Sequence, residues 1–250
     1  MTLSRADIAG KIVLICHRLS EREFVSATDG NVSARLPNGN ILITPSSVHK
    51  GDVGESMLVE VKPDGAPVTL SRSASTELPM HLFIYRERPD VRAVVHAHPV
   101  YATGFAVARI PLDAKVLPEV ILGLGSVPLA DYATPSTEEL PAALAPHVKT
   151  SDAVLMANHG VVAYGSSVEE AYFKLEKVEQ AAHITFVARM LGGEHHLSPE
   201  EIRKLQATSS SIPKHVLPPA DADHGRQELS EEEVKSLIRT TLSNMPASRS

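Results

Sequence analysis

Residues 91–101, VRAVVHAHPVY, form an apolar run that reads as a buried strand, yet it ends with two histidines spaced two apart, His96 and His98. Residues i and i+2 of a strand project from the same face, so both imidazoles point to one place. A chain that gives up aliphatic packing there must fold around what the rings hold. A bare HxH pair is open to two readings, a pair of core histidines satisfied by hydrogen bonds or two ligands of a chelate, and a third ligand decides between them.

The 250-residue chain suits one large domain or two small ones, and its 43% apolar content is enough to bury a core. A formal net charge of −6 with interspersed charges leaves no basic stripe for nucleic acid. A single cysteine, Cys16, excludes an internal disulfide framework and a cysteine-rich zinc site, so any metal must rest on histidines and carboxylates. The first twenty residues lack the apolar core of a signal peptide, and no run is long enough to span a membrane, which makes the cytoplasm the expected compartment. Tryptophan is absent and aromatics are 4%, which argues against carbohydrate or base stacking. Small molecules and protein surfaces remain as partners.

Periodicity sketches the rest. Residues 4–20 read as a helix capped by Ser4 and Asp7, with Ile8, Ile12, Ile15 and Leu19 on one face. VSARL and ILIT flank the turn PNGN as a hairpin, and a PDG turn repeats the pattern after SMLVEV. STELPMHLFIYRERPD predicts a helix entered through Ser75 and Thr76, striped by Leu78, Leu82 and Tyr85 and stopped by Pro89. Residues 125–135 read as loop and 136–149 as a helix capped by Ser136 with Glu139. DAVLMANHGVVAYG reads as two apolar runs broken at NHG. The longest helix should run from Ser167, in a capping box with Glu170, to Gly192 and Gly193. Residues 1–193 are therefore expected to form the domain, and the polar residues 194–250 a partly mobile helical appendage with two short helices.

Among the other histidines His159 stands out, because it lies just past an apolar run, where α/β proteins tend to display active-site residues. With it, an ordered set of motifs, TDGNVSAR, ITPSS, STELPMH, RPDVRAVVHAHP, DYATPSTEEL and ANHG, resembles the class II aldolase/adducin family over about residues 5–193. The resemblance implies an α/β fold of three layers, α/β/α, around a central, mainly antiparallel sheet, assembled as a homotetramer with sites at subunit interfaces. It puts the zinc ligands on His96, His98 and His159 and the catalytic acid/base on Glu77. Three imidazoles with an open position are a catalytic zinc pattern, with Mn²⁺ or Co²⁺ as alternatives. It puts a phosphate cradle on Gly30, Asn31, Ser46, Ser47, Ser75 and Thr76.

Two departures stand out. The family's aldolases carry Gly where this chain has Ser47. They also supply a proton-donating Tyr from a neighbouring subunit where this chain has Leu117 or Pro118, leaving Glu119 as the nearest candidate second acid. The implied function is a zinc-dependent lyase that cleaves a C–C bond in a small phosphorylated ketose through a metal-stabilised enediolate. A metal-dependent decarboxylase of a hydroxy or keto acid and a 4-epimerase are the alternatives. An adducin-like scaffold is disfavoured, since it has no use for His96, His98, His159 and Glu77 together. The expected partner is a small anionic substrate, with neither nucleic acid nor membrane.

Overall fold

A computed structural model describes residues 3–112 and 114–208. Helix α1 (Arg5–Glu21) starts where its sequence dictates: Ser4 Oγ accepts from the Asp7 amide while the Asp7 carboxylate accepts from the Ser4 amide. Its buried face carries Ile8, Ile12, Ile15 and Leu19. Strands β1 (Asn31–Arg35) and β2 (Ile41–Ile43) form the expected hairpin, and β3 (Val59–Val61) pairs antiparallel with β2.

Helix α2 (Leu78–Glu87) leads into β4 (Ala93–Ala97), which runs through Pro99 into α3 (Val100–Val107). Then come α4 (Pro118–Gly123), β5 (Leu129–Ala130), α5 (Glu139–Val148), β6 (Ala153–Met156), β7 (Gly160–Gly165), α6 (Val168–Met190) and α7 (Pro199–Thr208). Among the described residues the strands make one seven-stranded sheet in the order β3-β2-β1-β4-β7-β6-β5, antiparallel except for the β5–β6 pair.

Side-chain alternation divides the core into two layers. Val32, Ala34, Ala93, Val95, Ala97, Val161 and Ala163 face one core with α1, α3, α4, α6 and α7. Val94, Val154, Val162 and Tyr164 face the other, built on Met80, Phe83, Ile84 and Tyr85 of α2 and Leu140, Leu144 and Val148 of α5. The three-layer α/β/α architecture is therefore the one expected. His96 shares the face of Val94, so it opens toward the layer that carries α2.

Several elements differ from expectation. Helix α2 begins after Glu77 rather than at Ser75 or Thr76. Its fully buried stripe is Met80, His81, Phe83, Ile84 and Tyr85, whereas Leu78 and Leu82 are only half-buried, because the helix leans its other flank on the sheet. VYATGFAV is apolar but for Thr103 and the Tyr101 hydroxyl, so periodicity carried no sign of α3. Within 125–135, two residues pair with β6 as β5. Helix α5 starts at Glu139, not Ser136, because the Glu139 carboxylate takes the Thr134 amide and the Ser136 hydroxyl is donated to Thr76. Ser167 caps α6, but Glu170 closes on Ser166 instead of completing a box with Ser167. The apolar run VLPEVILGLGSVP buries Val120, Ile121, Leu124 and Val127 inside this chain, since α4 packs against α6 and α7.

The first tail helix, α7, is reciprocally capped by Ser198 and Glu201 and buries Ile202 in the first core, with Leu197 and Leu205 beside it. The second tail helix expected over SEEEVKSLIRTTLS lies outside the described residues. No described helix is long and apolar enough to cross a membrane.

Asp152, at the foot of β6, joins both layers: its carboxylate accepts from Arg88 Nη2 at 2.9 Å and Lys174 Nζ at 2.8 Å. Removing it leaves two largely buried cations without that counterion. Asp152→Ala is expected to cost about 3 kcal/mol or more, read as a lower urea midpoint at unchanged m-value.

Candidate active site

Three elements bring the predicted ligands together. His96 lies in β4 and His98 just beyond it, and His159 occupies the turn from β6 to β7, the next strand across. The ring centroids are 4.8, 4.8 and 5.1 Å apart. The turn works because Asn158, a residue that tolerates the left-handed region, takes φ +56° there. Gly160 is needed for another reason. A Cβ at that position would lie 2.5 Å from His98 Cδ2 and 2.6 Å from the Ala97 carbonyl oxygen, so only glycine lets the two histidine segments approach.

The donors fit a divalent cation. His96 Nδ1 donates to the Val161 carbonyl at 2.8 Å, which fixes the ring and leaves Nε2 as the inward lone pair. His98 Nε2 lies 3.0 Å from His96 Nε2, two imidazole nitrogens face to face, and one candidate ligand atom from each of the three rings falls within 4.8 Å of the others. Buried imidazole nitrogens converging on one point, with a carboxylate between them, are what a cation needs and what a hydrophobic core does not. Burial, with His96 and His159 alongside, pushes His98 down to about 3, so its ring is neutral and able to ligate.

Glu77, the residue that opens α2, enters this group. Oε2 lies 3.2 Å from His96 Nε2, and Oε1 lies 3.2 Å from His159 Nε2 without a hydrogen bond of its own. Burial alone would raise its carboxyl pKa, but His96 and His159 together outweigh that and hold it well below the carboxylate range. His96 moves the other way: burial would lower it, and the Glu77 carboxylate raises it.

Behind Glu77 runs a buried chain of hydrogen bonds whose direction can be deduced. Asn31 Nδ2 donates to Glu77 Oε2 at 2.7 Å, so its Oδ1 is the acceptor for His81 Nε2. His81 Nδ1 then accepts from Ser33 Oγ at 2.7 Å, and Ser33 in turn accepts from the Tyr85 hydroxyl at 2.8 Å. Burial pushes His81 down to about 3, consistent with the single proton this order assigns to its ring. The sequence did not single out His81. The available signal was a polar pair at i, i+2 in buried β1 (Asn31, Ser33) facing a polar pair at i, i+4 in α2 (His81, Tyr85).

His98 and His159 open into a cleft of about 440 Å³ that is also lined by Gly30, Asn31, Ser46, Ser47, Ser75, Thr76 and Glu77, and by Thr28, Asp29, Pro45, Pro135 and Ser136, which the sequence did not single out for the site. All six cradle residues thus meet in one place. Asp29 Oδ2 lies 3.7 Å from His98 Nδ1. Gly30 (φ +73°) would put a Cβ 2.5 Å from Val25, so this backbone excludes any side chain. Ser47 stands at φ +58°, the left-handed region that favours glycine, at a cost of about 1 kcal/mol for a serine. Glu119 does not join them: it is exposed on α4, outside the lining of this cleft, with its carbonyl accepting from Lys177.

A cleft with three convergent imidazoles and a buried carboxylate is the site of a metal-dependent enzyme. Comparison with known proteins agrees. Residues 10–186 match the Class II Aldolase and Adducin N-terminal domain. The chain is 32% identical over 171 residues to the 3-oxo-tetronate 4-phosphate decarboxylase of Escherichia coli strain K12, an alignment covering 67% of this chain and 80% of that one. It is 34% identical over 177 residues to the L-fuculose phosphate aldolase of Methanococcus vannielii, covering 71% and 94%. A solved L-fuculose 1-phosphate aldolase superposes with a TM-score of 0.75 at 33% identity, covering 82% of this chain and 97% of the other. The chain belongs to the class II aldolase/adducin family, as one of its enzymes.

His159→Ala, which removes one of the three imidazoles that could hold a metal ion, is expected to lose most of the bound divalent metal while staying folded. Elemental analysis of the purified protein reads the loss, and full occupancy in the variant would remove His159 from the ligand set.

Proposed function

We propose that this protein is a zinc-dependent lyase that cleaves a carbon–carbon bond in a small phosphorylated ketose, with His96, His98 and His159 holding the metal and Glu77 carrying the proton. The observation that carries the reading is a single cleft joining His98, His159 and Glu77, with His96 buried against them, to a cradle of hydroxyl, amide and glycine groups. A bound divalent cation supplies polarisation of a substrate carbonyl and a fixed positive charge for the oxyanion that develops there. An all-imidazole donor set suits Zn²⁺, with Mn²⁺ and Co²⁺ as the alternatives.

The chain's own groups do the rest. Asn31 holds one oxygen of Glu77, and Oε1, buried and without a hydrogen bond, is the oxygen that meets a substrate proton. In cleavage the substrate hydroxyl loses its proton as its C–O bond becomes a carbonyl. The C–C pair passes into an enediolate, which is then protonated at carbon. Gly30, Asn31, Ser46, Ser47, Ser75 and Thr76 seat the phosphate, with the neutral donors of two loops and the start of α2. We read the working form as a homotetramer, supported by exposed Phe173, Phe186, Val187 and Met190 along α6.

A second reading has a specific observation behind it. Aldol cleavage needs two proton carriers, yet no tyrosine lines the cleft among the described residues, and Glu119 could reach it only from a neighbouring chain. Decarboxylation needs one, since CO₂ leaves without a proton, and one relative is a decarboxylase.

Glu77→Gln keeps shape and removes the acid/base. It is expected to retain metal and fold and to lose about 10²-fold or more in turnover; retention of a tenth of the activity would assign proton transfer elsewhere. The reaction itself is tested by offering L-fuculose 1-phosphate beside a phosphorylated 3-keto acid. Aldehyde release supports the aldolase, and CO₂ without aldehyde replaces it with the decarboxylase.

A further inference from the structure

Lys50 is a buried cation that the chemistry above does not use. Its side chain is 1% exposed, and Nζ donates to the Thr28 carbonyl at 3.0 Å and the Val48 carbonyl at 2.7 Å. Those carbonyls belong to the two loops of the cradle: Thr28 precedes Gly30 and Asn31, and Val48 follows Ser46 and Ser47. Among the described residues no carboxylate forms an ion pair with it. The Cys16 thiol next to it is neutral, pushed up to about 12 by burial, and Asp29 acts on the ammonium only through space.

An interior ammonium held by carbonyls alone is costly, and burial draws its pKa down. The cost needs a reason, and the cleft has one. Its lining contains no lysine or arginine but does contain Asp29 and Glu77. A phosphate seated there meets neutral donors and two carboxylates, so the compensating positive charge must come from the metal or from behind the loops.

We propose that Lys50 is a positioning residue for the substrate's phosphate, clamping the two loops through Thr28 and Val48 and supplying, from behind them, positive charge that the cleft lining lacks. The proposal rests on the cradle reading above. It concerns affinity for the anion, not the proton transfer at Glu77.

The test is calorimetric titration of inorganic phosphate into the metal-loaded full-length protein. Lys50→Met and Lys50→Gln are expected to bind phosphate about tenfold or more weakly, the loss of charge-assisted hydrogen bonds, with metal content unchanged. Lys50→Arg, which keeps charge and donors, should recover much of the affinity, which general destabilisation would not allow. Should Lys50→Met fail to fold, Lys50→Gln against Lys50→Arg carries the comparison. A Ser46→Ala/Thr76→Ala double variant separates the two readings. If it weakens phosphate binding and the neutral Lys50 variants do not, the cradle stands and the role of Lys50 is overturned; if none of them weakens it, both fall.

Discussion

A buried carboxylate facing imidazoles organises this site. Glu77 is 8% exposed, and an ionised carboxylate at that depth survives only when its oxygens are met by cations or donors. Asn31 donates to one oxygen, and each oxygen also faces an imidazole nitrogen at 3.2 Å, Oε2 that of His96 and Oε1 that of His159, the place where a cation would meet the charge. Because Asn31 must present its amide nitrogen, its carbonyl oxygen needs a donor, which makes His81 a neutral ring with its proton on Nε2, which in turn makes Ser33 a donor and Tyr85 the origin of the chain. The polarity of four buried side chains thus follows from the charge on one.

The sheet order makes this possible. β1, β4 and β7 are adjacent, so Asn31 pairs with His96 and His96 with Val162, and the turn bearing His159 comes up beside the end of β4. The sheet face opposite the histidines presents Val and Ala side chains of β1, β4 and β7 to α1, α3 and α6, giving the three rings a rigid backing. Two residues of the cleft lining, Ser47 and Ser136, hold left-handed backbone. Ser136 is held by its hydrogen bond to Thr76, which links the segment before α5 to the start of α2.

Much of the site was legible because its signals are local. An HxH pair on a strand has only one geometric outcome, and the capping of α1 and the hairpin turns depend on residues a few positions apart. His81, Lys50 and Asp29 were not legible, for a shared reason: each acquires its role from a partner far along the chain or across a loop, and each sits in a segment whose local pattern reads as ordinary helix or turn. Helix α3 escaped because an octet that is apolar but for Thr103 and the Tyr101 hydroxyl has no polar face to detect. The lean of α2 was misread because Leu78 and Leu82 compete with Met80 and Ile84 for the core, and only the sheet beneath decides which flank is covered.

By itself the sequence determined which residues can chelate, where most chain reversals fall, and that one long helix and several antiparallel strands must build a single layered core. These follow from side-chain period, caps and turns, interactions that span a few residues. Only the tertiary structure decided that Glu77 closes on the rings of His96 and His159, that α7 docks its Ile202 into the first core, and that the Lys50 ammonium lies beneath the loops at residues 28 and 48. Those outcomes depend on which strands become neighbours, a choice made by the burial of whole faces against one another that no local window of the chain contains.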